Sequence, residues 1–268
     1  MPNTILCSEA FWFALKNESK LVCEKEPMLA SYLHACVQSH HNFETSLSFI
    51  LSNKISDDVM PAIAVNEMFN EAYMLNPNMV EAAVADVQAI VARDAAVSSF
   101  LTVVIHFKGF QALQVHRLAH YLWENGRKEL ALFMQSRNSE VFSVDIHPAA
   151  KIGKGVMFDH ATGIVIGETA VVENNVSILQ EVTLGGTGSD SGDRHPKVRE
   201  GVMIGSGAKI LGNIEIGRGS KVGAGSVVLN DVPPCVTVVG VPAKVVGHPK
   251  CNMPCDSMQQ NVFDDNTQ

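Results

Sequence analysis

Hydrophobic positions along the chain keep two different beats, and the change falls near Val144. Before it, apolar residues recur at helical spacing. Behind Asn76-Pro77, the residues Val80, Ala83, Val84, Val87, Ile90 and Val91 form one stripe. Asn76 as N-cap and Pro77 in the first turn predict that a helix starts there. A further helix is predicted from about Phe110 to Trp123, stopped by Asn125-Gly126. Segments near Ala10 to Leu15, Met28 to Ser52 and Pro61 to Leu75 are mostly helix formers. Residues 1–142 are therefore read as a domain of six to eight helices.

Beyond that point Gly, Val and Ile dominate, and an apolar residue returns every sixth position. Ile166, Val172, Ile178 and Leu184 form one series; Ile164, Ala170, Val176 and Val182 form a second, two residues earlier. The beat resumes at Ile204, Ile210, Ile216, Val222 and Val228. A period of six suits neither an isolated helix nor a flat half-buried strand. It suits a solenoid in which each hexapeptide gives one short strand and a turn, with the aliphatic side chain inside. Three edges per turn make a triangular coil over residues 143–248, so the predicted class is α+β, with 249–268 as a flexible tail.

Two interruptions of the beat mark candidate chemistry, because residues that break a repeat need another reason to be there. Ile152-Gly153 and Ile166-Gly167 are fourteen apart instead of twelve, and between them lies Phe158-Asp159-His160-Ala161-Thr162-Gly163. The second interruption, Gly185 to Arg199, is polar and glycine-rich and predicts a loop leaving the coil. His160 is the first candidate base, since an imidazole with an ordinary pKa of about 6.5 can take a hydroxyl proton near neutral pH. Asp145 precedes it by fifteen residues. That spacing fits a carboxylate orienting the imidazole and, equally, an acid capping a strand at the start of the coil. Arg194 and His195 are donors suited to a substrate carboxylate, or solvated loop residues. Lys221 and Lys244 suit cofactor phosphates and plain surface with equal weight, while His116 and His120 share a helix face without an evident third ligand.

Composition narrows the partners. Hydrophobic residues make up 46% and charged residues 18%, and the net charge is −8. With no basic block, nucleic acid and anionic membranes are not expected as partners. No apolar run is long enough for a membrane span, and the N-terminal residues do not read as a signal peptide. The six cysteines form no CxxC pair, which fits reduced thiols in the cytoplasm.

The motifs carry more than the beat. Asp145-Ile-His-Pro-Ala-Ala-Lys-Ile-Gly153, Asp159-His-Ala-Thr-Gly-Ile-Val-Ile-Gly-Glu-Thr169, Val182-Thr-Leu-Gly-Gly-Thr-Gly188 and Gly192-Asp-Arg-His-Pro-Lys197 resemble the serine O-acetyltransferases of bacterial cysteine biosynthesis. Ala92-Arg93-Asp94 and Gly240-Val-Pro-Ala-Lys244 resemble them too, so the likeness covers roughly residues 5 to 248. It implies a left-handed coil, acetyl-CoA as co-substrate with no metal, and a homotrimer paired into a hexamer through the helical domains. By the same resemblance His160 is the general base, Asp145 its orienting partner, Asp94 and Asp159 the ammonium site, and Arg194 and His195 the carboxylate site for L-serine. Gly186, Gly205, Ala208, Lys221, Ala224 and Lys244 are the residues expected along acetyl-CoA, with backbone N–H groups near Gly185 and Gly186 facing the oxyanion. L-cysteine is the implied inhibitor. Cysteine synthase is the implied partner, put in doubt because the sequence ends in Gln268 where the tails of many family members end in Ile.

Three competing readings remain at this point. A sugar or antibiotic O-acetyltransferase would share the coil and its histidine but generally lacks the long helical half. A carbonic anhydrase would need three histidines on zinc, for which His147, His160 and His195 are the candidates. A scaffold with a dead site would release no thiol from acetyl-CoA.

Overall fold

The computed structural model of the protein describes residues 6–188, 191–249 and 253–261. Eight α-helices precede the first strand among the described residues: α1 (Ser8–Lys25), α2 (Ala30–Leu33), α3 (Phe43–Ile55), α4 (Ala62–Leu75), α5 (Asn78–Arg93), α6 (Phe100–His106), α7 (Lys108–Glu124) and α8 (Lys128–Phe142). The stripe on α5 is its inner face: Val80, Ala83, Val84, Val87 and Ile90 are buried, and Val91 sits at the edge. Asn76 does not cap α5 as expected. It is the C-cap of α4, and only its carbonyl joins the next helix, accepting from Met79 N at 3.1 Å. The run from Met28 to Ser52 is also divided, because a turn of π-helix over His34–Gln38 ends the first part. Asn42 then restarts the chain as the cap of α3, its Oδ1 accepting from Thr45 N at 3.1 Å. Asn125 and Gly126, with φ 77° at the glycine, close α7 as read.

The coil begins at once after α8. Its strands are β1 (Val144–Ile146), β2 (Lys151–Ile152), β3 (Met157–Asp159), β4 (Ile164–Ile166), β5 (Val171–Val172), β6 (Ser177–Leu179), β7 (Thr183–Gly185), β8 (Lys197–Val198), β9 (Met203–Ile204), β10 (Lys209–Leu211), β11 (Glu215–Ile216), β12 (Lys221–Val222), β13 (Val227–Val228), β14 (Thr237–Gly240) and β15 (Ala243–Gly247). They form three sheets, β1-β4-β7-β10-β13, β2-β5-β8-β11 and β3-β6-β9-β12-β14-β15, so up to β13 every third strand stacks on one face of a triangular prism. All pairs are parallel except β14–β15, a closing hairpin. Residues of the sixfold beat fill the prism: Ile164, Ile166, Val172, Ile178, Leu184, Ile204, Ile210 and Ile216 are each at most 2% exposed. Burying each such side chain contributes about 1.5–3 kcal/mol.

Register shows where the beat slips. Ile166 lies beside Leu184, eighteen residues on, as a regular turn requires. Asp145 lies beside Val165, twenty on, so the first turn holds the two extra residues near His160. Val172 lies beside Val198, twenty-six on, and the surplus is the excursion loop.

A buried polar seam joins the halves. Asp86 on α5 and Arg117 on α7 pair at 2.7 Å, with side chains 0% and 9% exposed. Arg117 also donates to Gly153 O (2.7 Å) and Ile152 O (3.2 Å), while Asp86 accepts from Val156 N (2.9 Å) and Gln114 Nε2 (3.0 Å). Helix α8 lies on β1, and α7 lies on β1 and β3. The approach of α7 requires Gly109, where a Cβ would come within 2.2 Å of Phe158 O.

The segment expected as a free tail is docked where it is described. α9 (Pro254–Ser257) buries Cys255 completely, and Asp256 pairs with Arg93 at 3.0 Å. The reason is charge and hydrogen bonding: Arg93, buried at the end of α5, needs an anion, and Cys255 O accepts from Ser177 Oγ at 3.1 Å. Residues 262–268, on which the cysteine synthase expectation rests, lie outside the described residues, as does Cys251.

Candidate active site

The corner between β3 and β4 carries the first group. Both His160 and Ala161 adopt left-handed backbone angles, φ 56° and 64°, which turns the chain out of the sheet and exposes the imidazole. The His160 side chain is 76% exposed, and its Nε2 lies 3.7 Å from Asp159 Oδ1. Lys108 at the start of α7 bonds Thr162 in the same turn. Asp94, the residue that ends α5, holds Ala96 N at 2.9 Å and stands close enough to Asp159 for its charge to matter. Burial pushes the Asp159 carboxyl up, the His160 charge opposes this, and the Asp94 carboxylate pushes it up further. Two carboxylates thus stand close together beside an exposed imidazole.

The same corner continues up the coil. Gly205 and Ala208 lie between β9 and β10, and Ala224 lies between β12 and β13, so a ligand along this edge would run from Ala224 towards His160. Ala208 itself is 0% exposed, backbone included, so it lies behind this edge rather than on it. Lys221 is buried beneath the docked segment, its Nζ donating to Asn261 O at 2.5 Å, and Lys244 is exposed on β15.

A second group occupies the corner between β4 and β5. Arg194 Nη2 pairs with Glu168 Oε2 at 2.7 Å, and this hydrogen bond holds the Glu168 carboxyl below its ordinary range. His195 packs over Gly167, where a Cβ would come within 2.1 Å of the ring. Its pKa is lowered, first by burial and then by the Arg194 charge, although Glu168 pulls the other way. Thr169 binds the backbone of both Arg194 and His195 through Oγ1, each at 3.0 Å. Gly186 lies beside this group, facing Arg194.

Asp145 lies near His147, whose charge it favours, and forms no hydrogen bond or ion pair with either group among the described residues. It lies on β1, and its Oδ1 accepts from Gln135 Nε2 on α8 at 2.7 Å. No hydrogen bond or ion pair joins it to His160 within the chain among the described residues. The twenty-residue first turn is the reason: it sets Asp145 beside Val165 on the face of the sheet, past the corner that holds His160. His147 and His195 lie at one corner and His160 at another, and no cluster of three or more His, Cys, Asp or Glu side chains able to hold a metal is found among the described residues. Glu168 and Thr169 were not singled out in the sequence, because each falls within an ordinary turn of the beat.

Residues 11–115 match the family model described as the N-terminal region of serine acetyltransferase, and residues 195–230 match bacterial transferase hexapeptide repeats. The chain is 56% identical over 253 residues to a serine acetyltransferase of Escherichia coli, covering 94% of this chain and 93% of that protein. This chain belongs to the serine acetyltransferase family. Solved serine acetyltransferases share its fold. One in complex with cysteine superposes with a TM-score of 0.94 at 54% identity, covering 96% of this chain and all of that one. The Brucella abortus serine acetyltransferase in complex with coenzyme A gives 0.88 at 47%, covering 90% and 96%. The soybean serine acetyltransferase complexed with serine gives 0.86 at 54%, covering 88% and 97%. Within this serine acetyltransferase fold, the helical half and the coil are both part of the match.

Proposed function

We propose that the chain transfers the acetyl group of acetyl-CoA to the side-chain hydroxyl of L-serine, giving O-acetyl-L-serine and CoA. The observation that carries this reading is the extent of the family match, 94% of the chain at 56% identity, including the helical half that other hexapeptide O-acetyltransferases generally lack. The geometry supplies the chemistry. The ammonium of serine sits between Asp94 and Asp159, whose crowding it relieves. Its carboxylate meets Arg194 and His195. His160, exposed at 76%, removes the hydroxyl proton as the oxygen attacks the thioester carbon, and then returns that proton to the departing CoA thiolate. Backbone N–H groups near Gly185 and Gly186 face the developing oxyanion.

The two groups occupy different corners of the triangle, separated along the chain by β4 (Ile164–Ile166), a strand spanning about 10 Å. One corner of one copy set against the other corner of its neighbour completes the site, which supports a homotrimer with acetyl-CoA along the groove between copies. In such an arrangement Asp145 can also serve as the orienting acid of His160. The exposed apolar side chains of the helical half, Phe13 (70%), Leu21 (56%) and Met28 (92%), support pairing of trimers into a hexamer. L-cysteine, isosteric with serine, competes for the serine pocket, and the enzyme works in the cytoplasm.

Thioester absorbance of acetyl-CoA, followed with L-serine, L-homoserine, L-threonine and simple sugars, tests the reading. Loss selective for L-serine and suppressed by L-cysteine is expected. Turnover with sugars but not serine would overturn the substrate, stoichiometric zinc would favour hydratase chemistry, and no loss with any acceptor would leave a scaffold. Light scattering is expected to give a hexamer; full turnover by a monomer would overturn the shared site.

A further inference from the structure

The polar partners of Thr169 decide where His195 carries its proton. Backbone N–H groups of Arg194 and His195 each donate to Thr169 Oγ1 at 3.0 Å, which occupies both lone pairs of that oxygen. The hydroxyl proton is then free to be given, and His195 Nδ1 lies 2.9 Å away. The Asp193 carboxylate also draws on this hydroxyl, but it already holds the Lys197 ammonium at 2.6 Å. A second contact leaves no choice of direction. Thr169 N–H points at His195 Nδ1 from 3.2 Å, and a backbone N–H can only donate. A ring nitrogen that accepts from a backbone N–H carries no proton itself, so the single proton of a neutral ring sits on Nε2. The glycine at 167 leaves that edge of the ring its space.

We propose that Thr169 is a positioning residue that locks His195 as the Nε2–H tautomer, so that His195 serves as a neutral, one-directional donor to the carboxylate of the amino-acid substrate. The substrate half of this statement rests on the reading of Arg194 and His195 as the serine carboxylate site. The two residues then divide the work. Arg194 supplies charge through a guanidinium aimed by Glu168, and His195 supplies a hydrogen bond whose direction is fixed before the substrate arrives. The opposite tautomer would turn a lone pair towards a carboxylate and repel it.

Nitrogen-15 NMR of the intact, histidine-labelled protein tests the lock, with the resonance assigned by its absence in His195→Gln. Near neutral pH the expected pattern is an unprotonated Nδ1 with a protonated Nε2. A protonated Nδ1 at that pH, in either the reverse tautomer or the imidazolium, would overturn the lock whatever the substrate. Thr169→Val removes the hydroxyl that anchors the Arg194 and His195 N–H groups, so the ring is expected to drift from the remaining Thr169 N–H, mixing the tautomers and raising KM for serine about 10–100-fold with a smaller change in kcat. Thr169→Ser, which keeps the hydroxyl, is expected to restore both. Unchanged tautomer and KM in a folded Thr169→Val protein would sink the role of the hydroxyl. If the tautomer is as stated but His195→Gln keeps its KM for serine, the carboxylate reading falls and the functional half of the proposal falls with it.

Discussion

At the corner between β3 and β4 the proposed base is loosely held: His160 is 76% exposed and touches Asp159 only at 3.7 Å. At the corner between β4 and β5 nearly every polar atom is tied down, with Arg194 on Glu168, His195 on Thr169, and Lys197 on Asp193 and Thr169 O. The first corner is built jointly by the end of α5 and the start of the coil, and the second by the coil and its loop alone. The difference fits the tasks proposed for the two corners. A base must pick up a proton from one molecule and deliver it to another, so it needs access and freedom. Recognition of a carboxylate gains most from donors fixed in advance.

The largest effect expected from breaking this contrast is at the base. His160→Asn should lower turnover about 10²- to 10⁴-fold with circular dichroism and oligomer size unchanged, and near-normal turnover would remove His160 from the chemistry. Next comes the seam that holds α5, and with it Asp94, against the coil. Arg117→Met leaves the Asp86 carboxylate buried without its cation and should cost about 3–5 kcal/mol, read from the urea midpoint. A shift too small to measure would mean that the seam does not hold the halves together. At the recognition corner, Arg194→Lys should raise KM for serine about tenfold, because an ammonium cannot satisfy Glu168 and a carboxylate with one planar fork. Unchanged KM would place the substrate elsewhere.

The smallest effect is a pH dependence of the seam. His116 on α7 is 2% exposed and is held well below its ordinary value, first by burial and then by His120, Arg117 and His147, with a bond to Ala150 opposing them. Unfolded, it takes a proton near pH 6.5; folded, it resists until much lower pH. The unfolded state therefore binds the extra proton. Stability is complete above about pH 6.5 and falls by at most about 1.4 kcal/mol for each pH unit below it. His116→Gln should flatten that slope in melting curves taken below about pH 6.5, and an unaltered slope would assign it to other groups.

Much of the fold was legible because a sixfold beat has few solutions: Ile164 to Val228 sit inside the prism where the spacing put them. Both slips of the beat were visible as counts, and they became the twenty- and twenty-six-residue turns. The helical half was read less well. The π-turn at His34–Gln38 has no sequence signature comparable to a proline, and Asn76 belongs to the helix before it. At the site, His160 and the excursion loop stood out because they violate a period. Thr169 and Arg93 violate none, and their importance comes from partners twenty-five or more residues away, His195 for one and Asp256 for the other. The meeting of Asp94 with Asp159 joins a helix end to a strand end, which neither local pattern could encode.

The ends of the coil carry a further consequence. A stack of parallel strands presents unpaired backbone groups on its first and last rungs, an open template for another stack to extend. Here α7 and α8 cover the first rung, while at the far end the chain reverses so that β15 runs antiparallel to β14 as the outermost strand. On that face the far end does not offer the parallel register from which a copy could continue the prism. The helical half is thus also a stopper against filament growth, and a coil freed of it would be the form of this protein most prone to fibrillate.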